Sequence, residues 1–232
     1  MSSIGERTRQ IVRNLPPHVT LAAAAKTRTP AEVREAIDAG IRVIGHNYVQ
    51  EADAMIAQLG RDAAHWTLIG HLQRNKAKAA AELFDSIQTV DSLRLAEAIA
   101  RACRAIGRTM PVLVEINAAR EPQKAGVMPE DAVDLLREIA TFGELRIEGL
   151  MTMGPWVDDA EALRPVFREV RALFERVREA RIPSVSMQVL SMGMSDSYTV
   201  AVDEGATMIR LGSALFGPRG DNLEDAGETM GR

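Results

Sequence analysis

The stretch Leu21-Ala22-Ala23-Ala24-Ala25-Lys26-Thr27-Arg28-Thr29-Pro30 decides how the chain folds. Four successive alanines favour helix, yet the run ends in a lysine, two threonines and a proline. Pro30 suits the first turn of a helix that continues through Glu35 to Ala39, with Gly40 as its stop. What precedes that helix then reads as a strand, Thr20–Ala25, whose small side chains leave space inside a closed sheet. Lys26 stands at the C-terminal end of this strand.

Outward from this point the same alternation repeats. Strand-like runs are expected at Arg42–Gly45, Trp66–Gly70, Ser86–Val90, Val112–Asn117, Ile147–Met151, Ser186–Ser191 and Thr207–Gly212. Amphipathic helical patterns separate them. One is capped by Asp91 or Ser92 and carries Leu95, Ile99 and Ile106 on one face, with Cys103 at the same spacing as a small core residue. Another carries Val133, Leu136 and Ala140, and the longest carries Val166, Val170, Leu173 and Val177. Ser195 or Asp196 is expected to cap the seventh and Gly205 to end it. Eight strand–helix repeats are the pattern of a (β/α)₈ TIM barrel, here with an extra N-terminal helix. An open doubly wound α/β sheet is the alternative.

Composition limits the function classes. A chain of 232 residues has room for one large barrel, here residues 1–218, and the polar stretch 219–232 reads as a disordered tail. A net charge of -4 gives no general footprint for nucleic acid. The single cysteine excludes an internal disulfide and a Cys-rich metal site. The charged N-terminus and the absence of a membrane-length apolar run lead to the expectation of a cytoplasmic protein without a membrane partner.

In such a barrel, chemistry collects at the C-terminal ends of the strands: Lys26, Asn47, His71, Asn117, Met153, Ser191 and the segment from Arg210 to Ser213. Glycines and small residues after strands 7 and 8, in Leu190-Ser191-Met192-Gly193-Met194-Ser195 and Arg210-Leu211-Gly212-Ser213, suit a phosphate held by backbone N–H groups. Ser191 and Ser213 add hydroxyls, and Gly212 permits close approach. Closure puts strand 1 beside strand 8, so the Lys26 amine faces the same ligand and can condense with a phosphorylated aldehyde. Arg210, two residues before Gly212, is placed to donate to the ring nitrogen of pyridoxal 5′-phosphate.

The segments LAAAAKTRT, IGHNYVQEA, WTLIGHLQRNKAK, EGLMTMGP, LSMGMSDSY and GATMIRLGSALFG together resemble the YggS/PROSC family of pyridoxal phosphate homeostasis proteins, from about residue 10 to Pro218. The resemblance implies an alanine racemase N-terminal domain-like barrel (fold type III) that binds pyridoxal 5′-phosphate. It implies Lys26 as the Schiff-base residue, Ser191, Gly212 and Ser213 at the phosphate, Arg210 at the ring nitrogen and Asn47 beside the cofactor. The chain departs from the family in carrying His46 where glutamate is more usual, and Ser213 where threonine is common.

An arginine at the ring nitrogen disfavours its protonation and weakens carbanion chemistry. Alanine racemases add a C-terminal β domain; here the expectation is a polar tail after Pro218 and no such domain. The expectation is a monomeric protein that binds, stores or delivers the cofactor, with cofactor-requiring apoenzymes as partners. A fold type III amino-acid racemase is the alternative; it needs a second proton-transfer group, for which Tyr48, His46 and His71 are the candidates. The basic segment Arg74–Lys78 and Lys124 are read as solvated charge or as contacts for a partner or an exchanging cofactor.

Overall fold

The computed structural model describes residues 2–218; the tail expected over 219–232 lies outside the described residues. Helix α1 (Ile4–Asn14) precedes the repeats β1 (Thr20–Ala24), α2 (Pro30–Asp38), β2 (Val43–His46), α3 (Val49–Leu59), β3 (His65–Leu68), α4 (Ala77–Leu83), β4 (Ser86–Val90) and α5 (Leu93–Ala105). The chain continues through β5 (Met110–Ile116), α6 (Ala132–Ile139), β6 (Leu145–Thr152), α7 (Arg164–Glu179), β7 (Val185–Ser191), α8 (Tyr198–Asp203), β8 (Met208–Leu211) and α9 (Ser213–Phe216). All strands are parallel and close in sequence order, with β8 returning to β1. This is the expected (β/α)₈ barrel and not the open doubly wound sheet. The eight expected strands are present, their ends shifted by no more than two residues. Among the described residues no helix is long and apolar enough to cross a membrane.

The alanine run is strand because of where its side chains go. Leu21, Ala23 and Ala25 enter the apolar layer between sheet and helices, while Ala22, beside Arg210 in the β1–β8 register, turns to the lumen. Tertiary packing overrides the helical preference of alanine. The chain then enters α2 through a reciprocal cap. Glu32 N–H donates to Thr29 Oγ1 at 3.3 Å, and Thr29 N–H donates to Glu32 Oε2 at 2.8 Å. Such a box satisfies two donors at the helix start and stabilises it by about 1 kcal/mol.

Local details differ where side chains find other partners. Ser92 precedes α5, but its hydroxyl donates to the Asp91 carboxylate at 3.0 Å instead of accepting from the helix. Leu95, Ile99 and Cys103 are buried as expected, whereas α5 ends at Ala105 and leaves Ile106 exposed. The buried face of α6 is Ala132, Leu136 and Ile139, shifted from the expected triplet. Ser197, and neither Ser195 nor Asp196, precedes α8, because Ser195 is engaged elsewhere; Gly205 follows the helix as expected.

The strand register shifts on both sides of β6, between Val112 and Leu113 and between Ile147 and Gly149. A Cβ at Gly149 would lie 1.8 Å from the carbonyl oxygen of Val189, so the β6 and β7 backbones approach there only because Gly149 has no side chain. Gly149→Ala is expected to destabilise the chain by about 2–4 kcal/mol, read as a lowered midpoint in urea unfolding.

Candidate functional site

The lumen at the C-terminal end of the barrel is polar, which is unusual for a space this enclosed. Arg210 on β8 is buried, with 4% of its surface exposed. A bare guanidinium there would cost several kcal/mol, so its donors must be met. Its Nη1 donates to Ser191 Oγ at 2.7 Å and its Nη2 to the Thr152 carbonyl at 2.8 Å. Ser191 passes its own proton across the lumen to Gln88 Oε1 at 2.8 Å, and Gln88 Nε2 donates to Thr67 Oγ1 at 3.3 Å. Among the described residues Arg210 Nε has no acceptor. Burial pulls the guanidinium down to about 10, against the opposing pull of Glu115, so it remains charged at neutral pH.

The loops after β7 and β8 meet above this floor. Gly193, at φ +93°, makes the turn that follows Met192, and a Cβ there would meet Ala201 Cβ at 2.6 Å. Arg210 N–H donates to the Gly193 carbonyl at 3.0 Å, which joins the loop to β8. The turn brings Ser195 Oγ to the N–H groups of Gly212 (3.2 Å) and Ala214 (3.1 Å), two donors that converge on one oxygen. Ser213, between them, is exposed.

Lys26 rises from the adjoining strand. Its ammonium lies 5.5 Å from the centre of the Tyr48 ring. Burial pushes the Glu51 carboxyl upward, against the opposing pull of Lys26. Thr27 follows at φ 64°, a left-handed conformation that a β-branched residue adopts only when its surroundings impose it. One such constraint is Arg28, which donates to the Gly217 carbonyl at 2.7 Å and lies over the Phe216 ring. That contact ties the Lys26 loop to the chain just after α9. Asn47 is half-buried and lines a cleft of about 430 Å³ with Tyr48, Gly70, His71 and Lys76.

The structure brings Lys26, Asn47, Arg210, Gly212 and Ser213 to one end of the barrel. It places Ser191 differently. Its hydroxyl is fully buried and engaged with Arg210 and Gln88, so it is not open to an anion at the loops. Ser195, read from sequence as a helix cap, is the serine that faces the Gly212 and Ala214 N–H groups. Asn117 organises its own loop, accepting from Glu121 N–H at 3.2 Å and donating to the Glu121 carbonyl at 2.9 Å. Lys124 pairs with Glu121, and Arg74 and Lys78 are exposed.

The candidate second proton-transfer groups do not assemble opposite Lys26. Tyr48 lies on the lysine's own side. His71 is on the rim, 3.6 Å from Asp91. His46 faces out of the barrel, stacked on Trp66 at 5.9 Å in the apolar layer, with neither ring nitrogen hydrogen-bonded. Sequence reasoning passed over Gln88 and Thr67 of the lumen network, and one titratable lumen group as well. Glu115 on β5 is buried, its Oε2 has no partner, and burial with the charge of Asp91 pushes it up to about 7. A lone acid inside the apolar run Val112–Ile116 was the available signal.

Comparison with known proteins agrees with this geometry. The family model described as "Alanine racemase, N-terminal domain" matches residues 1–220. A pyridoxal phosphate homeostasis protein of Escherichia coli (strain K12) is 36% identical over 209 residues, covering 88% of this chain and 87% of the relative. The structure of PipY from Synechococcus elongatus PCC7942, with PLP bound, is 37% identical and superposes with a TM-score of 0.85 over 93% of this chain and 100% of that one. An alanine racemase of Clostridium difficile 630 shares the fold at 16% identity, with a TM-score of 0.79 over 96% of this chain and 59% of its own.

Burial holds His46 down at about 4 in the folded chain, against an ordinary 6.5. The unfolded chain therefore takes up more protons as pH falls from 6.5 towards 4, and stability declines through that window. Between pH 7 and pH 5 this group is expected to cost about 2 kcal/mol. His46→Phe, which keeps the ring against Trp66, should flatten that part of the decline in urea unfolding at the two pH values.

Proposed function

This chain belongs to the alanine racemase N-terminal domain family, and to the pyridoxal phosphate homeostasis proteins within it, and on that premise we propose that it binds pyridoxal 5′-phosphate and takes part in balancing the supply of that cofactor by storing or delivering it. The observation that carries the proposal is Arg210: a buried guanidinium with two nitrogens fixed by Ser191 and Thr152 and a third, Nε, left without a protein acceptor. A charged donor left free in this way can take an acceptor from a ligand, and a pyridine nitrogen suits it.

The other residues fit the same molecule. Gly212 and Ala214 N–H groups, with the Ser195 hydroxyl they now share, are the donors we assign to a phosphate; Ser213 adds a hydroxyl at the rim. This assignment replaces Ser191, whose part is to fix Arg210. Asn47 borders the site from β2. When bound, pyridoxal 5′-phosphate supplies an aldehyde that condenses reversibly with an amine, and Lys26 is the amine we assign to it. Tyr48 holds the ammonium near the mouth, and the constrained backbone at Thr27 fixes the point from which the lysine extends.

Arg210 keeps its proton and only donates, so it leaves a ring nitrogen unprotonated and favours holding the cofactor over carbanion chemistry. Apoenzymes that require the cofactor are the proposed partners. The exposed side chains of Tyr48, Met153, Trp156 and Met194, on the loops that follow the strands, offer apolar surface for such contacts.

Adding pyridoxal 5′-phosphate to the purified protein is expected to produce a visible absorption band. Borohydride should abolish the band and leave the label on Lys26 in peptide mapping. Lys26→Ala should lose the band; its retention would remove Lys26 from the proposal. Ser195→Ala should weaken cofactor binding about tenfold, the order expected for one hydrogen bond to a charged group, whereas an unchanged affinity would return the phosphate to other donors.

A further inference from the structure

Arg210 is not the only charged group in the lumen. Its guanidinium crosses from β8 to the edge between β5 and β6, where Nη2 meets the Thr152 carbonyl and Thr152 Oγ1 in turn donates to the Ile116 carbonyl at 2.8 Å. Glu115 is the next residue along β5, in register with Met151 on β6. It has 5% of its surface exposed, and among the described residues its carboxylate makes neither a hydrogen bond nor an ion pair. A carboxylate this enclosed, close to an arginine yet unpaired, has no structural work in the fold. A neutral, well-packed residue would be cheaper there.

The groups that face Glu115 can be enumerated. From the end of β4 comes Asp91, with His71 from the end of β3 beside it. From β8 comes Arg210. The β6 neighbours Met151 and Thr152 carry no titratable group, and Lys124, in the loop after β5, is held by Glu121. Lys26 stands across the barrel just beyond β1, the strand opposite β5 in an eight-stranded ring. Glu115 thus has one acidic neighbour and one basic neighbour already engaged by two acceptors. An anionic ligand entering the mouth brings further negative charge towards the same carboxyl.

We propose that Glu115 is a positioning residue that couples cofactor binding to proton uptake: the site takes its anionic ligand most tightly when the Glu115 carboxyl is neutral, and releases it more readily when that carboxyl ionises. The inference rests on the reading of this lumen as a pyridoxal 5′-phosphate site. The balance is simple. One proton from water joins a Glu115 oxygen as the phosphorylated ligand enters, and returns to water when the ligand leaves. The ionised form would also compete for Arg210, the donor assigned to the ring nitrogen. Burial and Asp91 raise the carboxyl to about 7, which places the change within the ordinary range of cellular pH. Stability follows the same sign. The unfolded chain ionises this acid near 4.5, so the folded state loses stability as pH rises from 4.5 towards 7.

The test compares wild type with Glu115→Gln, an isosteric change that leaves a neutral side chain, using two probes at pH 6, 7 and 8. Pyridoxal 5′-phosphate reports the complete site. Pyridoxine 5′-phosphate, which has the ring and phosphate but no aldehyde, removes the chemistry of Lys26 and is followed by calorimetry in buffers of different ionisation heat. Wild type should lose about tenfold more affinity than Glu115→Gln between pH 6 and pH 8, the linkage of one proton. It should also take up a proton at pH 8 that the variant does not. Parallel pH profiles and equal proton uptake for the two proteins would overturn the inference while leaving the cofactor reading intact. Failure of wild type to bind either probe at any pH would overturn the reading on which it rests. Glu115→Leu carries the same expectation, so that poor folding of one variant leaves the comparison available.

Discussion

A guanidinium inside a barrel must be paid for locally, and the lumen of this protein is organised around that requirement. Each acceptor offered to Arg210 must itself be oriented. Thr152 contributes a carbonyl from β6, which is already fixed by the sheet. Ser191 can accept from Arg210 only if its own proton goes elsewhere, and it goes to Gln88 on β4, a strand that is not its neighbour. The line continues from Gln88 to Thr67 on β3, whose hydroxyl also receives the proton of Ser86 Oγ at 2.8 Å. Five strands, β3, β4, β6, β7 and β8, are thereby joined through the lumen by bonds whose donors and acceptors are consistent in direction. Such a network is stabilising when its members are satisfied, and Nε is the guanidinium nitrogen that it leaves without an acceptor among the described residues.

Several residues that look functional from sequence act through this arrangement and not directly. The alanines of β1 were expected to provide clearance for a ligand. Ala22 lies beside Arg210 in the register, so part of that clearance serves the arginine itself. Gly193 and Gly149 matter because backbone approaches backbone or methyl at those points, and neither needs to touch a ligand. Arg28 reaches the carbonyl of Gly217, so the loop that carries Lys26 is held by one of its own side chains to the chain just after α9.

The fold was legible in the sequence because strand and helix periodicities alternate without interruption, and because Pro30 and Gly40 mark one helix at both ends. The position of Lys26 followed from that alternation alone. The roles of the two serines that flank Gly193 did not. Ser191, the last residue of β7, and Ser195 each stand two residues from Gly193, and only the turn there decides which stays in the lumen and which swings over β8. His46 was ambiguous for a related reason. Strand parity separates the lumen from the helix layer, and one residue in β2 changes sides with the register. Glu115 went unread because an acid in an apolar strand has no motif. Its meaning comes from Arg210 and Asp91, which are distant in sequence and meet only when the barrel closes.

Closure also explains why binding chemistry gathers where it does. β1 and β8 are the first and last strands, so their pairing joins the two ends of the chain's repeat and sets Lys26 against the Gly212 loop. The intervening strands contribute depth: β7 supplies Ser191, β4 supplies Gln88, and β5 supplies Glu115 from the far wall. In the proposed site, a ligand that bridges the seam would meet Lys26 and the Gly212 loop at the junction and the charges of Arg210 and Glu115 within the lumen. If Glu115 acts as proposed, the charge of the floor would change by a single proton while the lysine and the backbone donors remain in place. A site built in that way would grip through the seam and adjust its hold from the opposite wall, a property suited to storing and delivering a cofactor.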